Sequence, residues 1–214
     1  MDVRRIAELL APFVAAEALP LEQLQAFSTY LELLMRWNQR INLTSARSPE
    51  QIVTRHFGES LFAARHLLPS DQPAEVADIG SGAGFPGLPL KIIRPAARVA
   101  LIESQNKKAT FLKEVIRAQK LNGVQVIAER AEALAREFDL VTMRAVERFE
   151  RALPVAAGLV AGGGRLGLLI GAEQIGTAQA LLPTLRWQPS IAIPQSTARV
   201  LLVGRNPGKH DSSE

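Results

Sequence analysis

The sequence contains no cysteine. Disulfides and thiolate zinc sites are therefore excluded, as is any reaction that needs a covalent cysteine nucleophile. It also lacks a run of about 18 apolar residues, so no transmembrane helix is expected. The most apolar stretch, 153–170, is interrupted by Gly162, Gly163, Gly164 and Arg165. The first residues do not read as a signal peptide, because Asp2, Arg4, Arg5 and Glu8 break up any apolar core. No internal repeat is present. No cluster of histidines and carboxylates has metal-ligand spacing, so no metal is expected. These absences suit a cytoplasmic protein with no membrane partner, and a monomer is expected.

What is present is ordinary for a globular protein: 214 residues, 47% hydrophobic and 21% charged. The formal net charge of +4 and a pI near 9.8 permit a polyanionic partner without demanding one. Residues 1–70 read as a helical extension. Leu21, Leu24, Phe27 and Leu31 recur at three- and four-residue spacing, and a second helix is expected over Pro49–His66 with Ser48 as N-cap and Gln51 as its capping partner.

From 71 to 205 the rhythm changes to alternating strands and helices. Strands are expected at Glu75–Ile79, Val99–Ile102, Val124–Ala128, Phe138–Thr142 and Arg165–Ile170, with helices at Leu88–Ile93, Lys107–Gln119, Ala131–Arg136, Glu150–Val160 and Ala172–Leu182. Ser190–Ile193 and Arg199–Val203 are too close for a parallel crossover and predict an antiparallel hairpin. The expected fold class is α/β. It is a Rossmann-like, doubly wound, mostly parallel seven-stranded sheet with one antiparallel strand, the class I methyltransferase variant. Residues 206–214 predict a flexible tail.

The strongest motif is the segment Asp78-Ile79-Gly80-Ser81-Gly82-Ala83-Gly84-Phe85-Pro86-Gly87, between the first strand and its helix. Glycines let the backbone turn tightly and approach a ligand. Gly82, Gly84 and Gly87 alone match a dinucleotide loop, but Asp78 would repel a pyrophosphate. An aspartate there suits the cationic S-adenosylmethionine instead. Glu103 ends the second strand, 23 positions after Gly80. A carboxylate in that place can accept both ribose hydroxyls. Ala131 and Glu132 follow the third strand, where a backbone amide can read the adenine edge. The fourth strand ends in Met143-Arg144-Ala145 rather than the Asn/Asp-Pro-Pro-aromatic that grips an exocyclic amine. Ring nitrogen 7 of guanine fits the remaining chemistry, since its lone pair needs no general base. Arg144 can contact the guanine, a phosphate or the cofactor carboxylate, or form an ion pair with Asp139 or Glu147.

Taken together, Arg36-Trp37-Asn38-Gln39-Arg40-Ile41-Asn42-Leu43-Thr44, Arg55-His56-Phe57-Gly58-Glu59-Ser60-Leu61 and the Asp78–Gly87 loop resemble the bacterial RsmG (GidB) family. The resemblance covers roughly residues 20 to 205. It implies methylation of N7 of one guanine in 16S ribosomal RNA, either naked or within a small subunit or its precursor. The cofactor implied is S-adenosylmethionine, leaving as S-adenosylhomocysteine. It also implies that Gly80, Phe85, Ala131, Glu132 and Arg144 line the cofactor or catalytic pocket. Met143 departs from the serine often found before this arginine, which puts a hydroxyl role at 143 in doubt and not the reaction.

The candidate cofactor residues are therefore Asp78, Gly80, Gly82, Gly84, Phe85, Glu103, Ala131, Glu132 and Arg144, with Arg144 also the candidate catalytic residue. Arg40, Arg55, His56, Lys91, Arg94, Lys107, Lys108 and Arg148 are candidates for an RNA-binding rim. Asn38, Asn42 and Thr44 read as polar groups tying down a loop. Three rival functions remain at this point. One is a small-molecule methyltransferase, for which the arginines between 36 and 55 are unneeded. A second is a non-enzymatic RNA-binding assembly factor, for which the intact glycine loop is unneeded. The third is a dinucleotide oxidoreductase.

Overall fold

The structure is a computed structural model that describes residues 1–14 and 18–208; the tail expected to be flexible lies from 209 onward outside the described residues. Helices α1 (Val3–Val14), α2 (Leu21–Asn38), α3 (Pro49–Ile52) and α4 (Glu59–Leu67) precede the sheet. One π-helical turn, Val53–Gly58, joins α3 to α4, so the stretch predicted as one helix is continuous but widened by one residue at that turn. Ser48 caps it, its hydroxyl accepting from Gln51 N at 3.2 Å. The Gln51 side chain accepts from Arg47 N at 2.9 Å, one residue earlier than a capping box requires. Gly58 is the close-approach point for α1. A Cβ there would lie 2.5 Å from the Phe13 ring.

The remaining elements alternate: β1 (Glu75–Ile79), α5 (Gly87–Ile93), β2 (Arg98–Ile102), α6 (Asn106–Ala118), β3 (Val124–Ile127), β4 (Phe138–Arg144), α7 (Phe149–Gly158), β5 (Val160–Gly171), α8 (Ile175–Leu181), β6 (Arg186–Trp187), β7 (Ile191–Ala192) and β8 (Arg199–Arg205). The sheet order is β3-β2-β1-β4-β5-β8-β6, with β7 also on β8. Strands β1 to β5 are mutually parallel, and β8 runs antiparallel to β5. Short β6 and β7 pair with β8 at Arg205–Gly204 and Leu201–Val200 respectively, two pieces of one interrupted edge. This is the expected α/β sheet with one reversed strand.

Three local expectations differ. Strand β5 begins at Val160 because the glycines 162–164 stay in the extended run, with a register shift opposite Phe138–Leu140. The helix expected after β3 is only a 3-10 turn, Ala131–Ala133. Helix α1, with Ile6, Leu10, Phe13 and Val14 on one buried face, stands apart within the helical extension, and the two-residue strand β6 makes the sheet eight-stranded rather than seven.

Side chains alternate across the sheet, as the two-residue period of a strand requires. Val99 and Leu101 face one apolar layer, shared with α1, α2, α4, α5 and α6, while Ala100 and Ile102 face the other, shared with α7 and α8. Both faces are covered, which is why these strands read as continuous apolar runs. The first layer is rich in rings: Phe27, Tyr30, Phe57, Phe85 and Phe111 are buried there. Through it the N-terminal helices reach the glycine loop. Tyr30 of α2 donates its hydroxyl to the Ala83 carbonyl.

Candidate functional site

A cleft of about 690 Å³ opens at the carboxyl ends of β1 to β4. That end is where the chain leaves each strand for a loop, so backbone amides and variable side chains gather there. The floor is the glycine loop. Gly80, Gly82 and Gly84 have φ of 64°, 56° and 94°, the left-handed region that favours glycine. Gly80, Ser81, Gly82 and Ala83 line the cleft. Gly84 does not. Its missing Cβ makes room for Leu88 and for the Tyr30 hydroxyl, which would lie 2.5 and 2.6 Å away.

Asp78 holds this loop from behind. It is fully buried and does not line the cleft. One carboxylate oxygen accepts from Gly87 N at 3.1 Å and the other from the Thr142 hydroxyl at 2.9 Å. Burial pushes its pKa up to about 7, against the pull of those two hydrogen bonds. The side chain thus ties the loop and the start of α5 to β4. Direct attraction to a cationic ligand, the expectation from sequence, does not fit this orientation: the strand's alternation points the carboxylate into the core.

Glu103 does line the cleft. Its two oxygens accept from Gly82 N at 2.9 Å and Gln105 N at 2.7 Å. Each oxygen keeps a second lone pair for a further donor. Ala131 and Glu132 stand on the same side, with Glu129, Arg130 and Lys108.

The opposite side is built around Arg144, at the end of β4. Its guanidinium donates to three groups: Nη1 to His56 Nδ1 at 2.9 Å, Nη2 to the Arg55 carbonyl at 2.7 Å, and Nη2 to Glu59 Oε2 at 3.1 Å. Arginine only donates, so His56 Nδ1 must be an acceptor and the ring proton sits on Nε2. That N–H then faces the Thr44 hydroxyl at 2.5 Å. Burial, helped by Arg144, Arg55 and Arg199, lowers the His56 pKa to about 3, so the ring is neutral. Thr44 is placed in turn by Asn38, whose Oδ1 accepts from Leu43 N and Thr44 N, both at 2.9 Å. The loop-tying role expected of Asn38 is thereby seen to serve the cleft.

Glu59 also takes Arg199 Nη2 at 2.5 Å on its other oxygen. Burial raises its pKa while the arginines pull it back down. Sequence reasoning named Asp139 or Glu147 as the structural partner of Arg144, and it missed Glu59 and Arg199. Asp139 instead accepts from Glu75 N. Phe85 packs under this wall, stacked with the rings of His56 at 4.8 Å and Tyr30 at 5.6 Å. It is 7% exposed, and it lines the cleft as expected from sequence.

The rim residues divide. Arg55, His56, Lys108 and Arg148 line the cleft. Lys107 and Arg40 are exposed but outside the lining. Lys91 is not a rim residue. It is buried at the far end of α5, where its ammonium donates to the Pro95 and Ala97 carbonyls at 2.6 and 2.7 Å. Arg94, beside it, donates to the Leu68 and Pro69 carbonyls and holds the segment before β1. Both sit at the opposite end of the strands because they close the helix that starts at the loop.

Among the described residues no group of three or more histidines and carboxylates is placed to hold a metal ion, and no helix is long and apolar enough to cross a membrane.

Comparison with known proteins gives one family. Residues 23–182 match the family described as GidB, rRNA small subunit methyltransferase G. Relatives called ribosomal RNA small subunit methyltransferase G include that of Desulfitobacterium hafniense, 44% identical over 67% of this chain, and that of Roseiflexus sp., 49% identical over 58%. These matches span 61% and 55% of those proteins' own lengths, less than two thirds of either. The Chloroflexus aggregans protein of the same name is 38% identical over 91% of this chain and 87% of its own. Among solved structures, magnesium protoporphyrin IX methyltransferase of Synechocystis, with bound S-adenosylmethionine, superposes at a TM-score of 0.63 and 15% identity, covering 90% of this chain and all of that one. The ribosomal protein L11 methylase of Lactobacillus delbrueckii does so at 0.60 and 14% identity, covering 72% and 79%. At such identities the likeness concerns the Rossmann-like methyltransferase fold alone.

Proposed function

The chain belongs to the GidB family, rRNA small subunit methyltransferase G, and on that premise we propose that it transfers a methyl group from S-adenosylmethionine to N7 of a guanine in 16S ribosomal RNA. Bound in the cleft, the cofactor would supply an electrophilic methyl on a sulfonium. The residues present fit it. Gly80 and Gly82 hold left-handed backbone on the cleft floor that a side chain would strain, and Glu103 sets a carboxylate where ribose hydroxyls would need acceptors. Ala131 and Glu132 flank the place for the adenine.

One observation supports the choice of N7: the two side chains packed together at the end of β4, Arg144 and His56, offer donors and no free base. Both His56 nitrogens are engaged, one by Arg144 and one by Thr44, and Arg144 is a cation. Methylation of an exocyclic amine must dispose of a proton, and neither Arg144 nor His56 is free to take it. Guanine presents N7 and O6 to such a wall, both acceptors. Arg144 has five N–H donors and commits three to His56, Arg55 and Glu59. The others suit O6, which would hold N7 in line with the methyl.

Incubation with labelled S-adenosylmethionine and small-subunit RNA, then nucleoside mass spectrometry, tests the reading. The expected product is 7-methylguanosine. Another methylated nucleoside would reject the choice of atom, and no transfer to RNA would reject the substrate.

A further inference from the structure

The two sides of the cleft carry opposite charge. Glu103, Glu129 and Glu132 lie toward β2 and β3, although Arg130 and Lys108 stand among them. Arg55, Arg144 and Arg199 lie on the other side, with Glu59 as the carboxylate between them and a neutral His56. Three guanidiniums against one carboxylate leave an excess of positive charge on that wall. Arg199 arrives there because β8 is the reversed strand. Its first residue pairs with Gly171, the last of β5, so it shares the carboxyl end of the parallel strands. Arg199 also lies beyond the residues that match the family, 23–182.

Glu59 is 2% exposed and takes one guanidinium on each oxygen, Arg144 on one and Arg199 on the other. Such a carboxylate fixes two cations side by side that would otherwise repel. The Arg199 side chain is 27% exposed, pairs with Glu59 through one nitrogen and lines the cleft. Its role is not explained by packing alone, since a buried ion pair is no net gain over apolar side chains of the same size.

We propose that Arg199 is an anion-binding residue of this cleft and that Glu59 is the positioning residue that sets it beside Arg144. This rests on the methyltransferase reading. The anion is an oxyanion of a cleft ligand, supplied by an RNA phosphate next to the target base or by the carboxylate of the cofactor.

The test uses the full chain with Arg199→Gln, Glu59→Gln and the double substitution. Cofactor affinity is read by calorimetry with S-adenosylmethionine, and RNA affinity by filter binding to small-subunit RNA over a salt series. Arg199→Gln is expected to weaken one ligand about tenfold, the loss of one charged hydrogen bond. Weaker RNA binding, with a salt slope shallower by about one, assigns the anion to a phosphate. Weaker cofactor binding at unchanged RNA affinity assigns it to the carboxylate. Glu59→Gln should weaken the same ligand, and the double substitution should be no worse than the worse single one, because the two residues act as a unit. Removing Glu59 strands two arginines and can cost the fold. Arg199→Gln, part-exposed, then decides by itself. Unchanged affinity for both ligands in Arg199→Gln overturns the proposal, as do single effects that multiply. A protein that binds both ligands but transfers no methyl would sink the proposed reaction and leave the anion site standing.

Discussion

Replacing Asp78 by asparagine should make the protein's stability less sensitive to a rise in pH from 5 to 8. In the native state this carboxyl is fully buried, and its pKa is pushed from the ordinary 3.8 to about 7. The unfolded chain keeps the ordinary value. Because the native pKa is the higher one, the folded protein holds a proton that the unfolded chain has already released, and stability is lost as pH rises through 7. Between pH 5 and pH 8 the loss from this group alone is about 2.6 kcal/mol, from the roughly 2 units between pH 5 and 7 at 1.36 kcal/mol each, less a little for the rounded ends of the titration. Asparagine keeps the shape. Its oxygen can still accept from Gly87 N, and its amide can donate to the Thr142 hydroxyl, which in turn reaches the Ala77 carbonyl at 3.3 Å. Urea unfolding of both proteins at pH 5, 6, 7 and 8, with equal slopes, gives the difference directly. The variant should gain on the wild type by that amount across the series. Parallel curves would show that burial does not govern this carboxyl. Because Asp78 does not line the cleft, affinity for S-adenosylmethionine should stay within a few-fold.

Gly80→Asp should abolish cofactor binding in calorimetry, since it sets a charged side chain at φ 64° on the cleft floor, its Cβ 3.1 Å from Val146; retained affinity would mean the pocket is misplaced. Gly84→Ala should cost about 3 kcal/mol in thermal or urea unfolding, from strain at φ 94° and a clash with Leu88 and Tyr30; a loss under about 1 kcal/mol would show that α2 and α5 can yield. His56, with a pKa of about 3, should give methyl transfer no step near pH 6.5; such a step persisting in Asp78→Asn, which removes the carboxyl titrating near 7, would assign the ring a proton-transfer role. RNA affinity should fall steeply with added salt if Arg55, Arg148 and Lys108 track phosphates, and a flat salt series would contradict the rim.

Much of the architecture was legible because its causes are local. Apolar period and turn residues place β1, α5, β2, α6 and β4 within a residue or two of where they lie. The short Pro194–Ala198 gap foretold the antiparallel pair. The glycine loop announced itself because backbone freedom is a property of the residue. Lys91 was misjudged because a lysine in sequence looks the same whether it meets water or two buried carbonyls.

Strand–helix rhythm, the glycine bend and the family resemblance could all be read along the chain. Which charges meet in the cleft depends on the packing of distant segments. Glu59, Arg144 and Arg199 come from a helix, a parallel strand and a reversed strand, and no spacing along the chain encodes that meeting. The same holds for Asp78, whose type was legible but whose direction was not. Periodicity and φ preference act over a few residues, whereas ion pairing and burial depend on which distant segments the packed core brings within a few ångströms.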